Sequence, residues 1–105
     1  MAQEVTSATF DEKVTNSKGI VVVDFWAAWC PPCRALAPII AAVSEEAKDK
    51  ATVYKLDTDA NQDIAAQHGI VSIPTVKIFK DGKEVESLIG LHQKHEYMRV
   101  IEEHA

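Results

Sequence analysis

Trp29-Cys30-Pro31-Pro32-Cys33-Arg34 carries both cysteines of the 105-residue chain, two residues apart. Ahead of it, Ile20-Val21-Val22-Val23-Asp24-Phe25-Trp26 is apolar except for Asp24. Behind it, from Arg34 to about Lys48, Leu36, Ile39, Ile40 and Val43 recur at helical spacing. The cysteines are therefore expected where a buried strand turns into a helix. If that helix begins near Pro31, Cys30 is its N-cap and Cys33 lies one turn on, on the same face. Residues three apart on a helix are neighbours, so a disulfide could close and reopen there with little backbone movement.

The rest of the chain alternates in the same way. Glu4 to Thr6 is expected as a short edge strand, and Thr9-Phe10-Asp11-Glu12 matches a capping box for a short helix starting at Phe10. Ala51 to Leu56 reads as a strand, and Asn61 to Gln67 as a short helix stopped by His68-Gly69. Thr75 to Phe79 and Glu84 to Ile89 read as a hairpin around Lys80-Asp81-Gly82-Lys83. Gly90 ends it, and a last helix, about Gln93 to Glu103, turns Tyr97, Met98 and Ile101 inward. Pro38 should kink the second helix. This order predicts an α/β fold, a mixed sheet with helices on both faces, as one domain over residues 1–105.

Composition narrows the function. Hydrophobic residues are 47% and charged residues 26% of the chain, as in an ordinary soluble globular protein. The net charge of -5 and the scattered Lys and Arg exclude a nucleic-acid binder held by phosphate contacts. The apolar run before Cys30 is too short to span a bilayer and is broken by Asp24. Met1-Ala2-Gln3-Glu4-Val5-Thr6 lacks the basic start and apolar core of a signal peptide. The expected compartment is the cytoplasm, the expected state a monomer. In a compartment that keeps thiols reduced, a close cysteine pair is catalytic or metal-binding.

The thiolate, not the thiol, is the nucleophile, and the positive end of a helix favours a nearby anion. That argument makes Cys30 the attacking sulfur and leaves the more shielded Cys33 protonated until it is needed. Cys30 would attack a partner's disulfide, and Cys33 would resolve the mixed disulfide. A purely stabilising disulfide is the weaker reading, because a loop this short removes only about 2 kcal/mol of unfolded-chain entropy. Zinc lacks ligands: there is no second cysteine pair. His92 and His95 read as a solvated helix face, and His68 stands beside a helix end where a cation suits the dipole. No metal is expected.

The segment Val23-Asp24-Phe25-Trp26-Ala27-Ala28-Trp29-Cys30-Pro31-Pro32-Cys33 closely resembles the active-site segment of the thioredoxin family. Arg34-Ala35-Leu36-Ala37-Pro38 is similar to that family's kinked second helix, Tyr54-Lys55-Leu56-Asp57 to its third strand, and Gly69-Ile70-Val71-Ser72-Ile73-Pro74-Thr75 to its cis-proline loop. Phe79-Lys80-Asp81-Gly82 resembles its final hairpin, and Gly90 the glycine facing the active site. The resemblance implies the thioredoxin fold, five strands with four helices. It implies protein-disulfide reduction with no bound cofactor. The redox-active Cys30–Cys33 disulfide would be recharged by a thioredoxin reductase drawing on NADPH, and the partners would be that reductase and disulfide-containing proteins.

The resemblance also implies roles for other residues. Asp24 would take the proton from Cys33, and Lys55 is either its charge partner or a solvated lysine. Pro74 would be cis, against the usual X-Pro preference, placing Ile73 backbone groups beside the cysteines. Trp29, Ile73, Gly90 and Leu91 would form a docking surface, with core packing the alternative for Trp29; Trp26 is assigned to packing. One departure is Pro31-Pro32 where the family has Gly-Pro. Two prolines leave only the Cys33 and Arg34 amides as donors to a thiolate, and Pro32 disfavours helical dihedrals at Pro31, so a late helix start is expected. The other readings are an oxidase or isomerase of the same fold, and an adaptor that docks partners without turnover.

Overall fold

The computed structural model describes residues 2–105; Met1, the first residue of the expected domain, lies outside them. Its centre is β2 (Ile20–Trp26), which pairs in parallel with β3 (Ala51–Asp57) and antiparallel with β4 (Thr75–Lys80). The short β1 (Gln3–Glu4) flanks β3, and β5 (Lys83–Ile89) flanks β4, giving the order β1-β3-β2-β4-β5. A strand in mid-sheet with layers on both faces must be apolar on both faces, and Ile20 through Phe25 are all buried. Four helical segments are present among the described residues: a π-helical turn at Asp11–Thr15, α1 (Pro31–Glu46), α2 (Gln62–Gln67) and α3 (Lys94–His104).

The period-two alternation of strand side chains splits the core. Ile20, Val22, Val53, Val76, Ile78 and Leu88 pack against α1 and α3 through Leu36, Ile40, Val43, Tyr97, Val100 and Ile101. Val21, Val23, Phe25, Tyr54, Leu56 and Phe79 pack on the opposite face with Phe10, Val14 and Ile64. Asp24 shares the first face with Ile20 and Val22, so its carboxyl points beneath α1.

The hairpin tip makes the two-residue turn expected of Asp-Gly: Asp81 and Gly82 have φ of 51° and 83°, with Lys80 paired to Lys83. It also pins the start of β2. The Gly19 amide donates to Asp81 Oδ1 at 2.7 Å, and the Asp81 amide donates to the Gly19 carbonyl at 3.0 Å.

Several boundaries differ from the expectations. β1 occupies Gln3–Glu4 rather than Glu4 to Thr6. The Thr6 amide donates to Thr9 Oγ1 at 3.0 Å, which turns the chain away from the sheet. The Thr9 amide, which Glu12 would have capped, donates to the Thr6 carbonyl at 3.1 Å; the capping box does not form, and the following turn is π-helical with a helical Phe10 before it. α1 starts at Pro31, not late. Both rings hold φ near the helical value, and neither position has an intrahelical N–H partner to lose. Pro38 falls inside α1, as the sequence leads one to expect. α3 is capped by a reciprocal pair that sequence reading missed, Gln93 with Glu96.

Candidate active site

Cys30 is the N-cap of α1, with extended backbone angles of -93° and 109°. Its Sγ accepts from the Cys33 amide at 3.2 Å. The two cysteines form a disulfide, their Cα atoms 5.2 Å apart. The Arg34 amide is not available to the sulfur as expected: it donates to the Cys30 carbonyl at 3.1 Å, the first α-helical bond. With prolines at 31 and 32, the Cys33 amide is left as the donor to the sulfur. The Arg34 guanidinium donates instead to the Ala28 carbonyl at 3.0 Å and braces the loop before the cysteines.

Cys30 and Cys33 are almost equally buried, at 3% and 2% exposure. What separates them is direction. Cys33 lines a cavity of about 130 Å³ that it shares with Asp24, Trp26, Lys55, Ala37, Ile40, Ala41 and Ala2. Asp24 is 4% exposed, and its Oδ1 has no hydrogen-bond partner among the described residues. Burial pushes its carboxyl up from 3.8 to about 7, and the Lys55 charge offsets part of the rise. Asp24 and Lys55 are register partners across β2 and β3. The Lys55 ammonium lies over the Trp26 ring, 5.3 Å from its centroid, so its charge reaches Asp24 across the cavity both line. Trp26 packs against the cysteines, its Nε1 buried without a partner among the described residues.

The rim on the Cys30 side comes from three loops. The Ile73–Pro74 peptide bond is cis, and the Ile73 carbonyl oxygen lies 3.8 Å from Cys30 Sγ. Gly90, at φ 87°, donates its amide to the Pro74 carbonyl at 2.8 Å, which ties the end of β5 to this loop. Trp29 is 64% exposed, so the core-packing alternative fails; its Nε1 donates to Asp59 Oδ2 at 2.8 Å. Leu91 is exposed as well.

Sequence reading missed Asp59, the brace made by the Arg34 side chain, and the exposure of two apolar side chains, Val71 and Ile89. Asp59 follows Thr58 in a polar turn, where nothing local marks it as an indole acceptor. Two histidines differ from what was expected, His68 in role and His92 in position. His68 stands at the end of α2 as expected, but its ring packs against Phe10 at 4.8 Å and faces Phe79 and Phe25 at 5.9 and 6.1 Å between centroids rather than serving as a solvated cation. Burial and the Lys77 charge hold its imidazole below the usual histidine range. His92 precedes α3 rather than lying on it, with a ring nitrogen 2.9 Å from Glu96 and the other 2.9 Å from the Ile89 carbonyl.

A strand-to-helix junction that presents a closed dithiol, with an unpaired carboxyl behind one sulfur and an exposed apolar rim beside the other, is suited to exchanging a disulfide with another protein. The comparisons agree. The family model described as Thioredoxin matches residues 1–103. A protein of Rickettsia bellii named Thioredoxin is 47% identical over 95 residues, covering 90% of each chain. One of Synechococcus elongatus named Thioredoxin 1 is 42% identical over 104 residues, covering 99% of this chain and 97% of its own. One of Listeria monocytogenes named Thioredoxin is 43% identical over 101 residues, covering 96% of each. With the fold, the dithiol and these matches in agreement, the chain belongs to the thioredoxin family of dithiol–disulfide oxidoreductases.

Proposed function

We propose that this chain reduces disulfides in other proteins, with Cys30 as the attacking sulfur and Cys33 as the resolving one. In the reduced form the Cys30 thiolate attacks one sulfur of a partner disulfide. A Cys30–partner disulfide forms, and the partner's other sulfur leaves as a thiolate that takes up a proton. Asp24 then accepts the Cys33 proton through the shared cavity, which has room for bridging water. The Cys33 thiolate attacks Cys30 Sγ, and the partner's second sulfur leaves. Two electrons have passed from the dithiol to the partner, and the Cys30–Cys33 disulfide is restored.

Lys55 keeps part of Asp24's negative charge accessible near neutral pH. The partner segment lies extended along Ile73 and pairs with its backbone, with Pro74, Gly90, Leu91 and Trp29 as the contact surface. Pro31 and Pro32 tune the junction by removing donors near the sulfur. A thioredoxin reductase drawing on NADPH recharges the dithiol in the cytoplasm, and the protein acts as a monomer. The single observation that carries this reading is the Cys33 amide aimed at Cys30 Sγ while Cys33 itself opens onto Asp24.

The test is trapping. Cys33→Ser should accumulate covalent complexes with disulfide-containing proteins, and Cys30→Ser should abolish insulin reduction with dithiothreitol. If Cys30→Ser traps partners and Cys33→Ser does not, the roles are reversed. If the unaltered protein fails to speed insulin precipitation, the adaptor reading replaces this one.

A further inference from the structure

We infer that His92 is a positioning residue for the partner-docking surface: as a doubly protonated imidazolium it clamps the end of β5 to the start of α3 and so holds Gly90 and Leu91 in place. The argument rests on the proposed docking surface and on the two acceptors around one ring. One ring nitrogen, Nε2, is 2.9 Å from the Ile89 carbonyl oxygen, and Nδ1 is 2.9 Å from Glu96 Oε1. A carbonyl oxygen can only accept, and an ionised carboxylate can only accept. Both ring nitrogens must therefore carry protons for both contacts to be hydrogen bonds. A neutral imidazole has one N–H and can keep only one of them.

Glu96 is committed to the acceptor role on its other side too, since Oε2 receives the Gln93 amide at 2.9 Å. The Gln93 amide and then His92 hold the Glu96 carboxyl below its usual range, and the Glu96 contact holds His92 above the usual histidine range against a smaller burial effect. Among the described residues, β5 contributes the Ile89 carbonyl to the ring's surroundings. α3 supplies Glu96, the Tyr97 ring edge-on at 6.1 Å, and His95, whose charge acts on Glu96. Lys94 is turned away to Glu46 on α1, at 2.9 Å.

The four residues spanned by the clamp, 89 to 92, hold the exposed Ile89 and Leu91 and the positive-φ Gly90. Ile89 is the last register partner of Thr75 in the sheet, and beyond it the Gly90 amide on the Pro74 carbonyl ties the segment to the rim. A flexible glycine beside two exposed apolar side chains needs such a second tether if the surface is to meet a partner already formed. Because His92 titrates above the usual histidine range, the clamp is whole below that pH and loses one bond as pH rises through it.

The experiment uses the full chain. Imidazole ¹⁵N shifts at pH 6.5, where an ordinary histidine is half protonated, should show His92 mostly doubly protonated; a predominant single neutral tautomer there overturns the inference. The second readout is the rate of insulin reduction by the reduced protein divided by its rate of Cys30 alkylation with iodoacetamide, which needs no docking. For His92→Gln this ratio should fall about three- to ten-fold at pH 6.5, the size expected for one charge-assisted hydrogen bond partly transmitted to docking. The unaltered protein's ratio should approach that of the variant as pH rises through the His92 titration. An unchanged ratio in His92→Gln, with Leu91→Asp lowering it, overturns the clamp and spares the docking surface. If Leu91→Asp also leaves the ratio unchanged, the docking surface is wrong, and the clamp falls with it even where the ¹⁵N shifts show two protons.

Discussion

Replacing Asp24 by Asn should stabilise the oxidised protein, and by an amount that grows with pH. A carboxyl raised from 3.8 to about 7 binds its proton more tightly folded than unfolded. Between those two values the native state holds more protons than the unfolded state, so stability falls as pH rises, and above about 7 the loss is complete. At about 1.4 kcal/mol per pH unit the full loss is about 4 kcal/mol. Asn carries no charge at any pH and keeps nearly the same volume, so it escapes this cost.

Urea unfolding of the oxidised proteins gives the comparison directly. At pH 8.5 Asp24→Asn should be more stable by about 4 kcal/mol, and at pH 5 by about half of that or less, because most of the native carboxyl is then protonated. The m-values should match, since the same surface is exposed. A stability gap that is the same at both pH values would refute the reasoning. So would a variant less stable than the parent at pH 8.5, which would mean that the Lys55 charge outweighs burial.

Pro31→Gly adds a free N–H at the first position of α1 and should shift the pH midpoint of Cys30 alkylation downward; an unchanged or higher midpoint rejects the donor argument. Gly82→Ala should cost at least about 3 kcal/mol, because its Cβ would stand 2.0 Å from the Thr15 carbonyl oxygen at φ 83°. Gly90→Ala, with the same kind of φ but nothing within 4 Å, should cost only about 1–2 kcal/mol by urea unfolding. His68→Tyr should flatten the acid side of the stability profile. A histidine held below its ordinary 6.5 loses stability as pH falls from that value toward its folded pKa, and tyrosine does not titrate there; thermal midpoints at pH 7 and pH 5 would check it.

What was legible in the sequence was what the chain repeats locally. Ile20 to Trp26 could only be a strand covered on both faces, and the dithiol after it could only sit at a junction. The Asp81-Gly82 turn is encoded in two residues, and both take the positive φ that the pair permits. The losses came where one side chain had several possible partners. Thr9 matched a capping box, yet its hydroxyl went to the Thr6 amide behind it. His68 was assigned by its neighbours along the chain, while its environment is set by Phe10, Phe25 and Phe79 from three other segments. Trp29 was undecided between core and surface, because its partner Asp59 lies 30 residues away. The docking residues and the cis bond came from the family resemblance and not from any spacing.

The cysteines themselves correct the simplest form of the argument, in which one sulfur is reactive because it is exposed. Both are buried to the same degree, so any difference must come from what each faces. Cys30 faces an N–H at the start of a helix, and Cys33 faces a carboxyl that titrates near neutrality. In the proposed mechanism these are the two groups needed, one to stabilise a thiolate and one to accept a proton. The second has a cost that the first lacks: ionised Asp24 is the better acceptor but the less stable buried group. Resolution by Cys33 should therefore speed up as pH rises through about 7, the upper end of the interval over which the oxidised fold weakens. Asp24→Asn should remove both trends together. A variant that lost the pH dependence of stability but kept that of resolution would place the proton acceptor elsewhere.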